Sequence, residues 1–432
     1  MKSKYPIFYL FFSFLLLFFI FFKSEIIFQG SNRDYYKIYY IISLSLILFS
    51  TMTFFFNKII NEILLISIFT CIFSLYCFET FLNLKGIYFQ KPKLENKIRL
   101  YSQKTGKIYD ERSKFQIYSD LKKESENVSV TMYPRDSLNE KNNFFYLSGF
   151  NNSLTINCNE NGYFSINQSD RYGFNNEDYL WDLEQIDIIL IGDSYAYGEC
   201  VNRENNFASQ IGKLKKLNVL NLGYGGNGPL INLAIFKEFK PKKFSKVIWF
   251  FTESNDLTDL SKELKNDILR QYLINQNYTQ NLKSKLIEKE IYLENKIKDF
   301  LIQKENTRKF NYINFLKILS TRNLIINKNF NPPINEFENI IDHTLKIIDK
   351  NNFFFVYVPS GTRYFENTKY DYFYNEIIKI IKDKKINLID LKIEFSNNIK
   401  NVKNLYPLQE VGHFSENGYY KVSELISTKI SN

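Results

Sequence analysis

Histidine and cysteine, the usual ligands of structural zinc, are scarce in this sequence. The 432 residues include only two histidines and four cysteines, with no Cys-x-x-Cys pair and no Cys/His cluster. This excludes the common structural zinc sites, and no feature of the chain calls for a metal or an organic cofactor. Cys158 and Cys200 lie in the polar part of the chain, which follows the apolar N-terminal residues 1–84. They either form a disulfide in an oxidising compartment or remain as two unpaired buried thiols.

The sequence also lacks a block of basic residues interleaved with aromatic ones. Its formal net charge is +10, but the 56 Lys and Arg residues are spread among 46 Asp and Glu residues. Nucleic acid is therefore not expected as a partner. A general attraction to anionic glycans or lipid headgroups is compatible with this charge.

Three long runs near the N-terminus have few or no charged residues, at about residues 5–22, 38–56 and 60–82. Each can supply the roughly 20 apolar residues that a transmembrane helix needs, so residues 1–84 are predicted to be a membrane anchor with three such helices. The first run is followed by Lys23-Ser24-Glu25, with no small-residue cleavage site, and is expected to be retained. The spans lack interior charges, which disfavours a transport or sensing module.

The charges that flank the spans disagree about topology. Lys2 and Lys4 favour a cytoplasmic N-terminus, which would export everything after about Leu84, whereas Lys85, Lys97 and Arg99, with other lysines beside them, oppose that orientation. Charge alone does not decide between the two. We expect export, with the polar part periplasmic or otherwise extracytoplasmic, because of the chemistry predicted below.

Two further regions follow the anchor. Residues 85–181 form a mixed lead-in region, with strands predicted near residues 114–118 and 128–132. In residues 182–432, five short apolar runs alternate with helix-like segments, which is typical of a parallel sheet built from βαβ units. The predicted fold class is α/β, a three-layer, flavodoxin-like sandwich with a parallel sheet of about five strands, preceded by N-terminal transmembrane helices. A helical insertion at about 257–350 is expected to pack on the body; a lid over the site and a membrane-surface contact are the alternatives.

The stretch Ile186–Val201, IDIILIGDSYAYGECV, is the centre of the functional prediction. A buried strand ends abruptly at Gly192-Asp193-Ser194, which exposes a serine at the carboxyl edge of the sheet, where ligands bind in open α/β sheets. A serine nucleophile needs a base, a group that orients the base, and donors for the developing oxyanion. His413, just before the last helix, is the candidate base, whereas His343 lies in a predicted helix as a packing or surface residue.

Four short segments occur in the order of the sequence blocks of the SGNH (GDSL-type) hydrolase superfamily, which this chain resembles from Ile186 to about Ile426. They are Gly192-Asp193-Ser194, Asn221-Leu222-Gly223-Tyr224-Gly225-Gly226-Asn227, Ser254-Asn255-Asp256 and Glu410-Val411-Gly412-His413. The resemblance implies that Ser194 is the nucleophile, His413 the base and Glu410 the acid that orients it. It also implies an oxyanion hole made by the Ser194 and Gly226 amides and the Asn255 side chain.

The chain departs from the family pattern at two positions. Family members usually have glycine two places before the third-block asparagine, where this chain has Glu253, and Asp three places before the histidine, where it has Glu410. A glutamate can orient an imidazole as an aspartate does. Glu253 either contacts a substrate hydroxyl or points away from the oxyanion hole.

The predicted function is acyl-ester chemistry through an acyl-enzyme, by a membrane-anchored esterase or O-acyltransferase. A substrate at the cell surface, such as an acylated polysaccharide or a lipid-linked glycan, fits the membrane anchor. The alternative is a catalytically silent SGNH-fold protein that binds or assembles glycans, and Glu253 is the feature that favours it.

Overall fold

The computed structural model describes residues 4–28, 30, 33–140, 143–306, 312–325, 330–366 and 373–430, with the side chains of residues 34, 85–93, 298–306, 313, 323 and 325 outside that description. The chain divides into two compact units. The first comprises Met1–Lys91 and Asn311–Lys328, and the second comprises Pro92–Phe310 and Asn329–Asn432. The first unit therefore includes a short piece of the predicted insertion as well as the apolar N-terminal segment.

The helices within the described ranges are numbered in chain order. They are α1 (Tyr5–Phe21), α2 (Arg33–Met52), α3 (Lys58–Thr105), α4 (Lys114–Glu124), α5 (Ser194–Tyr197), α6 (Phe207–Lys215), α7 (Pro229–Phe239), α8 (Asp256–Glu263), α9 (Asp267–Ile274), α10 (Leu286–Asn306), α11 (Tyr312–Leu316), α12 (Leu319–Ile325), α13 (Ile334–Leu345), α14 (Thr362–Phe365), α15 (Tyr374–Asp383), α16 (Leu391–Asn398) and α17 (Glu416–Lys429).

The strands form two sheets. They are β1 (Val128–Val130), β2 (Leu154–Ile156), β3 (Ile166–Gln168), β4 (Ile186–Ile191), β5 (Val219–Asn221), β6 (Phe244–Thr252), β7 (Phe353–Val358) and β8 (Asn387–Asp390). The first three make a small mixed sheet, in which β1 and β2 are parallel and β3 is antiparallel to β2. The other five make the parallel sheet that the alternating apolar runs predict.

Three apolar helices in the first unit are long enough to cross a membrane: Tyr5–Ile27, Tyr35–Phe55 and Lys58–Leu84. Membrane association follows from their length and composition. Hydrogen bonds join them, because a polar group that faces hydrocarbon needs an internal partner. The hydroxyls of Ser13 and Ser50 lie 2.9 Å apart, and the Tyr9 hydroxyl donates to the Asn61 carbonyl at 2.7 Å.

Helices α11 and α12, from the predicted insertion, also lie in the first unit. The Glu79 carboxylate of α3 accepts the backbone amides of Ser320 and Thr321 at 3.0 and 2.8 Å, so it caps the start of α12. The Tyr76 hydroxyl donates to the Leu316 carbonyl at 2.9 Å. Residues 312–325 thus pack on the apolar helices of the first unit.

The parallel sheet has the strand order β5-β4-β6-β7-β8. Strand β4 lies inside the sheet, where Leu190 is in register with Asn221 of β5 and Ile248 of β6. Alternate residues of each strand face opposite sides. Ile189 and Ile191 pack with the buried faces of α7, α13 and α15, whereas Ile188 and Leu190 pack with those of α6, α16 and α17. The sheet is therefore covered on both faces, as parallel sheets are.

The lead-in region differs from the prediction at residues 114–118. We predicted a strand there, but the segment begins α4. The Ser113 hydroxyl accepts a hydrogen bond from the Gln116 backbone amide, and the Gln116 side-chain oxygen accepts one from the Ser113 backbone amide. This reciprocal pair stabilises a helix start. The second predicted strand, at 128–132, corresponds to β1.

The insertion helix α10 packs on the lead-in region. Its buried residues Leu293 and Ile297 join the apolar cluster formed by Ile117 of α4 and Val130 of β1.

Candidate active site

Ser194 is the first residue of α5, immediately after β4 and the turn at Gly192-Asp193. Gly192 has φ +150°, and a Cβ there would lie 2.9 Å from Cβ of Ala196 and from Cβ of Phe250. Only glycine fits this turn without displacing its neighbours. The Asp193 side chain accepts the Tyr195 amide at 3.0 Å and fixes the helix start that presents Ser194.

His413 lies in the loop before α17 and reaches Ser194 from the other end of the chain. Its Nε2 is 2.9 Å from the Ser194 Oγ. Its Nδ1 is 3.1 Å from Oε1 of Glu160, and its backbone amide donates to Oε2 of the same carboxylate at 2.6 Å. When the imidazole is neutral, the bond to Glu160 places its proton on Nδ1 and leaves Nε2 to accept the serine proton, which is the geometry of a Ser–His–acid catalytic triad.

The carboxylate that contacts His413 is that of Glu160, whereas the family pattern assigns the orienting role to Glu410. Glu160 takes up both Nδ1 and the main-chain amide of His413, so the orienting position is filled. The chain has positive φ at Leu408 and Gln409, and the Glu410 amide then bonds back to the Pro407 carbonyl at 3.0 Å. Within the described chain, the Glu410 carboxylate has no hydrogen-bond partner. The structure therefore places Glu160, and not Glu410, against His413.

Gly226 and Asn255 line the same cavity as Ser194 and His413, with a volume of 290 Å³. Gly226 has φ +73°, a backbone conformation that residues other than glycine rarely adopt. The Asn255 amide group donates to Asp193 and Asp259, each at 3.2 Å. To donate to an oxyanion, the Asn255 side-chain amide would thus have to give up its hydrogen bond to Asp193 or to Asp259.

Glu253 is turned into the protein, away from Asn255. Its side chain is 1% exposed, and its carboxylate accepts the Ser360 amide at 2.7 Å and pairs with the Arg363 guanidinium. Ser360 and its neighbour Gly361 line the cavity. Glu253 therefore fixes a wall of the site. Because its carboxylate is buried and bonded to Ser360 and Arg363, it fits the alternative in which it points away from the oxyanion hole and not the one in which it contacts a substrate hydroxyl.

A second carboxylate, Glu199, approaches the reacting end of the imidazole. It is buried, and its Oε2 lies 3.9 Å from Nε2 of His413. The Tyr133 hydroxyl donates to the other oxygen of Glu199. Tyr133 precedes Pro134 in the lead-in region, so this region supplies both Tyr133 and Glu160 to the site.

These carboxylates determine the basicity of His413. Burial alone would lower the pKa of the imidazole, but the hydrogen bond and charge of Glu160, with the charges of Glu199 and Asp193, raise it to about 9. For Glu160, burial raises the pKa of the carboxyl. The hydrogen bonds and the charge of His413 lower it by more, so the pKa of Glu160 lies below its usual value. The pair is stabilised as carboxylate and imidazolium.

A disulfide joins Cys158 to Cys200. It resolves the two alternatives left by the sequence, and it ties the loop that carries Glu160 to the turn that follows α5. The cysteine spacing was the one sequence signal that could have found Glu160: if Cys158 pairs with Cys200, residue 160 must lie near Ser194. No comparable signal marked Tyr133.

Removing this bond is expected to weaken both the fold and the site. Because the cysteines are 42 positions apart in the sequence, the free energy of unfolding of the Cys158→Ser/Cys200→Ser variant should be about 4 kcal/mol lower than that of the wild type. Ester turnover should also fall, since the Glu160 loop loses its tether. Urea unfolding of the second unit and kcat/KM measure the two effects. The matched control is Cys71→Ser/Cys77→Ser, which alters two free thiols, and equal behaviour of both variants would contradict the tether.

The chain is weakly similar to two solved hydrolase structures. No family model matches the chain, and no curated protein matches it. Among solved structures, it is similar to a putative lipolytic protein of the G-D-S-L family from Desulfitobacterium hafniense DCB-2, at 15% identity and a TM-score of 0.30, over 56% of this chain and 99% of that one. It is also similar to the lipase/acylhydrolase from Enterococcus faecalis, at 14% identity and a TM-score of 0.33, over 57% and 95%. Likeness at this level carries no functional argument.

Proposed function

We propose that this chain is a membrane-anchored serine acyl-ester hydrolase or O-acyltransferase that works through an acyl-enzyme on a cell-surface or lipid-linked glycan. The observation that carries the proposal is the continuous hydrogen-bonded series from Ser194 through His413 to Glu160 at a cavity. Its place at the carboxyl edge of a parallel sheet is where α/β enzymes bind ligands. The strand order and the apolar cluster on each sheet face support a three-layer, flavodoxin-like sandwich of the SGNH type.

In the proposed reaction, the Ser194 Oγ attacks the ester carbonyl carbon while its proton passes to Nε2 of His413. Glu160 stabilises the imidazolium that forms. The tetrahedral oxyanion would be held by the amides of Ser194 and Gly226 and by the Asn255 side chain, each donor worth ~3 kcal/mol. When the C–O bond to the alcohol breaks, His413 returns the proton to the departing oxygen and leaves an acyl group on Ser194.

The second half of the reaction uses the same groups in reverse. Water or a sugar hydroxyl gives its proton to His413 and attacks the acyl-enzyme; the bond from the acyl carbon to the Ser194 Oγ then breaks, and His413 returns the proton to that oxygen. Water as acceptor makes the protein an esterase, and a sugar hydroxyl makes it an O-acyltransferase. Supplying an activated acetyl ester together with an oligosaccharide separates the two, because only a transferase yields acetylated oligosaccharide in preference to free acetate.

A catalytically silent glycan-binding or assembly protein of the same fold is the second candidate. The bonds from the Asn255 amide to Asp193 and Asp259 favour it, since they direct this donor away from the cavity. Glu253 does not favour the silent candidate, because its carboxylate pairs with Arg363.

An alkyl fluorophosphonate should distinguish the two candidates. An active serine forms a covalent adduct, which mass spectrometry of the digested protein would place on Ser194. A folded protein that binds glycans but takes up no label would support the silent candidate.

Export of the second unit is part of the proposal. The disulfide between Cys158 and Cys200 supports it, because such bonds persist in oxidising compartments. Alkaline phosphatase fused after Leu84 should be active, and a reporter that works only in the cytoplasm should be inactive there. The reverse result would contradict export.

A further inference from the structure

Arg135, which lies in the turn after β1, reaches the proposed oxyanion position. A Cβ built on Gly226 would lie 2.7 Å from Nε of Arg135, so the arginine side chain lies directly against that glycine. Arg135 and Ser194 line the same cavity. A guanidinium is thus part of the wall next to the proposed nucleophile, contributed by a region that the family resemblance does not cover.

The charge of Arg135 has no close partner among the described residues. Its nearest carboxylate oxygen belongs to Asp259, at 4.0 Å, and its side chain is 44% exposed. Asp259 is already bonded to Lys262 at 2.7 Å and to Asn255 at 3.2 Å. By contrast, the guanidinium of Arg171 donates to two carboxylates. The N–H donors of Arg135 are therefore available to a ligand in the cavity.

The guanidinium is held in place even though it is not neutralised. It lies over the ring of Tyr133, 5.3 Å from the ring centre. Tyr133 is fixed in turn, because its hydroxyl bonds to Glu199 and its carbonyl accepts the Tyr146 hydroxyl at 2.7 Å. A positioned guanidinium fork matches the two oxygens of a carboxylate or a phosphate.

We propose that Arg135 selects substrates in which a carboxylate or phosphate group lies close to the acyl ester, such as acylated uronic acid residues or acylated sugar phosphates. This deepens the proposed function and rests on it. The ester carbonyl would lie over Ser194 and Gly226 while the anionic group of the same sugar pairs with Arg135. The arginine thus determines specificity and takes no part in proton transfer.

The test compares three O-acetylated sugars: glucose, glucuronate and glucose 6-phosphate. The detergent-purified full chain should show kcat/KM about ten- to a hundredfold higher for the anionic esters than for the neutral one, the range expected of a hydrogen-bonded charge pair. Preference for glucuronate would point to a carboxylated polysaccharide, and preference for the phosphate to a phosphorylated sugar. The preference should shrink as salt is raised.

Variants then attribute this preference to Arg135. Arg135→Gln should bring the ratio of anionic to neutral kcat/KM close to one, whereas Arg135→Lys should retain part of it. Arg270→Gln is the matched control, because Arg270 is 52% exposed and also lies 4.0 Å from a single carboxylate. It should keep the wild-type ratio.

Two results would overturn the proposal. One is a wild-type protein with no preference among the three esters. The other is an Arg135→Gln variant that loses activity equally on all of them, which would assign Arg135 to the oxyanion. Calorimetric binding of unacetylated glucuronate, glucose 6-phosphate and glucose separates this proposal from the proposed function. If no ester is turned over but the affinity for the two anionic sugars falls in Arg135→Gln, only the proposed catalytic function fails. If that affinity is the same with and without Arg135, the specificity proposal fails.

Discussion

Ser194→Ala is expected to reduce turnover of an activated ester by roughly 10⁴- to 10⁶-fold, the range seen when a hydrolase loses its nucleophile. The hydroxyl is the group that His413 contacts at 2.9 Å, and an alanine methyl can neither form an acyl-enzyme nor donate a proton. What remains should be the small rate that oxyanion donors and binding provide by themselves. The measurement is kcat/KM for p-nitrophenyl acetate, with phosphonate labelling as a second readout.

Ser261→Ala is the matched control for this experiment. Ser261 lies on α8, where its hydroxyl donates to the Thr258 carbonyl at 2.7 Å. This variant should retain wild-type turnover and labelling. If Ser194→Ala kept its activity and its label, Ser194 would not be the nucleophile and the proposed function would fall with it.

Glu160→Gln is expected to have the next largest effect, a loss of about 10⁴-fold in kcat, as when a triad acid is replaced by its amide. A glutamine cannot compensate the imidazolium charge. It can also present its amide nitrogen to Nδ1, which would favour the tautomer with the proton on Nε2. Glu410→Gln is the control that tests the correction to the family pattern, since that carboxylate does not contact His413. It should retain wild-type kcat.

The pH profile gives an independent check on Glu160. The base must be neutral, so with its pKa raised to about 9 wild-type kcat/KM should climb as pH rises and level off above pH 9. Removing the Glu160 charge removes the largest influence that raises this pKa. The rising limb of the Glu160→Gln variant should therefore move to lower pH. An unmoved limb, or a limb that moves in Glu410→Gln instead, would return the orienting role to Glu410.

Local patterns predicted much of the sheet. The uninterrupted apolar run at 353–358 matches β7 residue for residue, and β4 likewise ends at Ile191, just before the Gly-Asp-Ser turn. Strands buried on both faces read as continuous apolar runs, so their positions are visible in a single sequence. The helix α4 was missed because a short run alternating in polarity also fits a helix whose start is capped.

The sequence by itself placed Ser194 at the carboxyl edge of the sheet, because Ser194 follows a strand that reads as a continuous apolar run. The four-block resemblance selected His413 as its partner. Only the tertiary structure decided which acid contacts His413. Glu160 and His413 are 253 residues apart, and their contact depends on the path of an irregular loop and on the bond between Cys158 and Cys200. Arg135 belongs to the same category. Loops carry no periodicity from which such contacts can be read, so the groups that tune the chemistry appear only once the chain is folded.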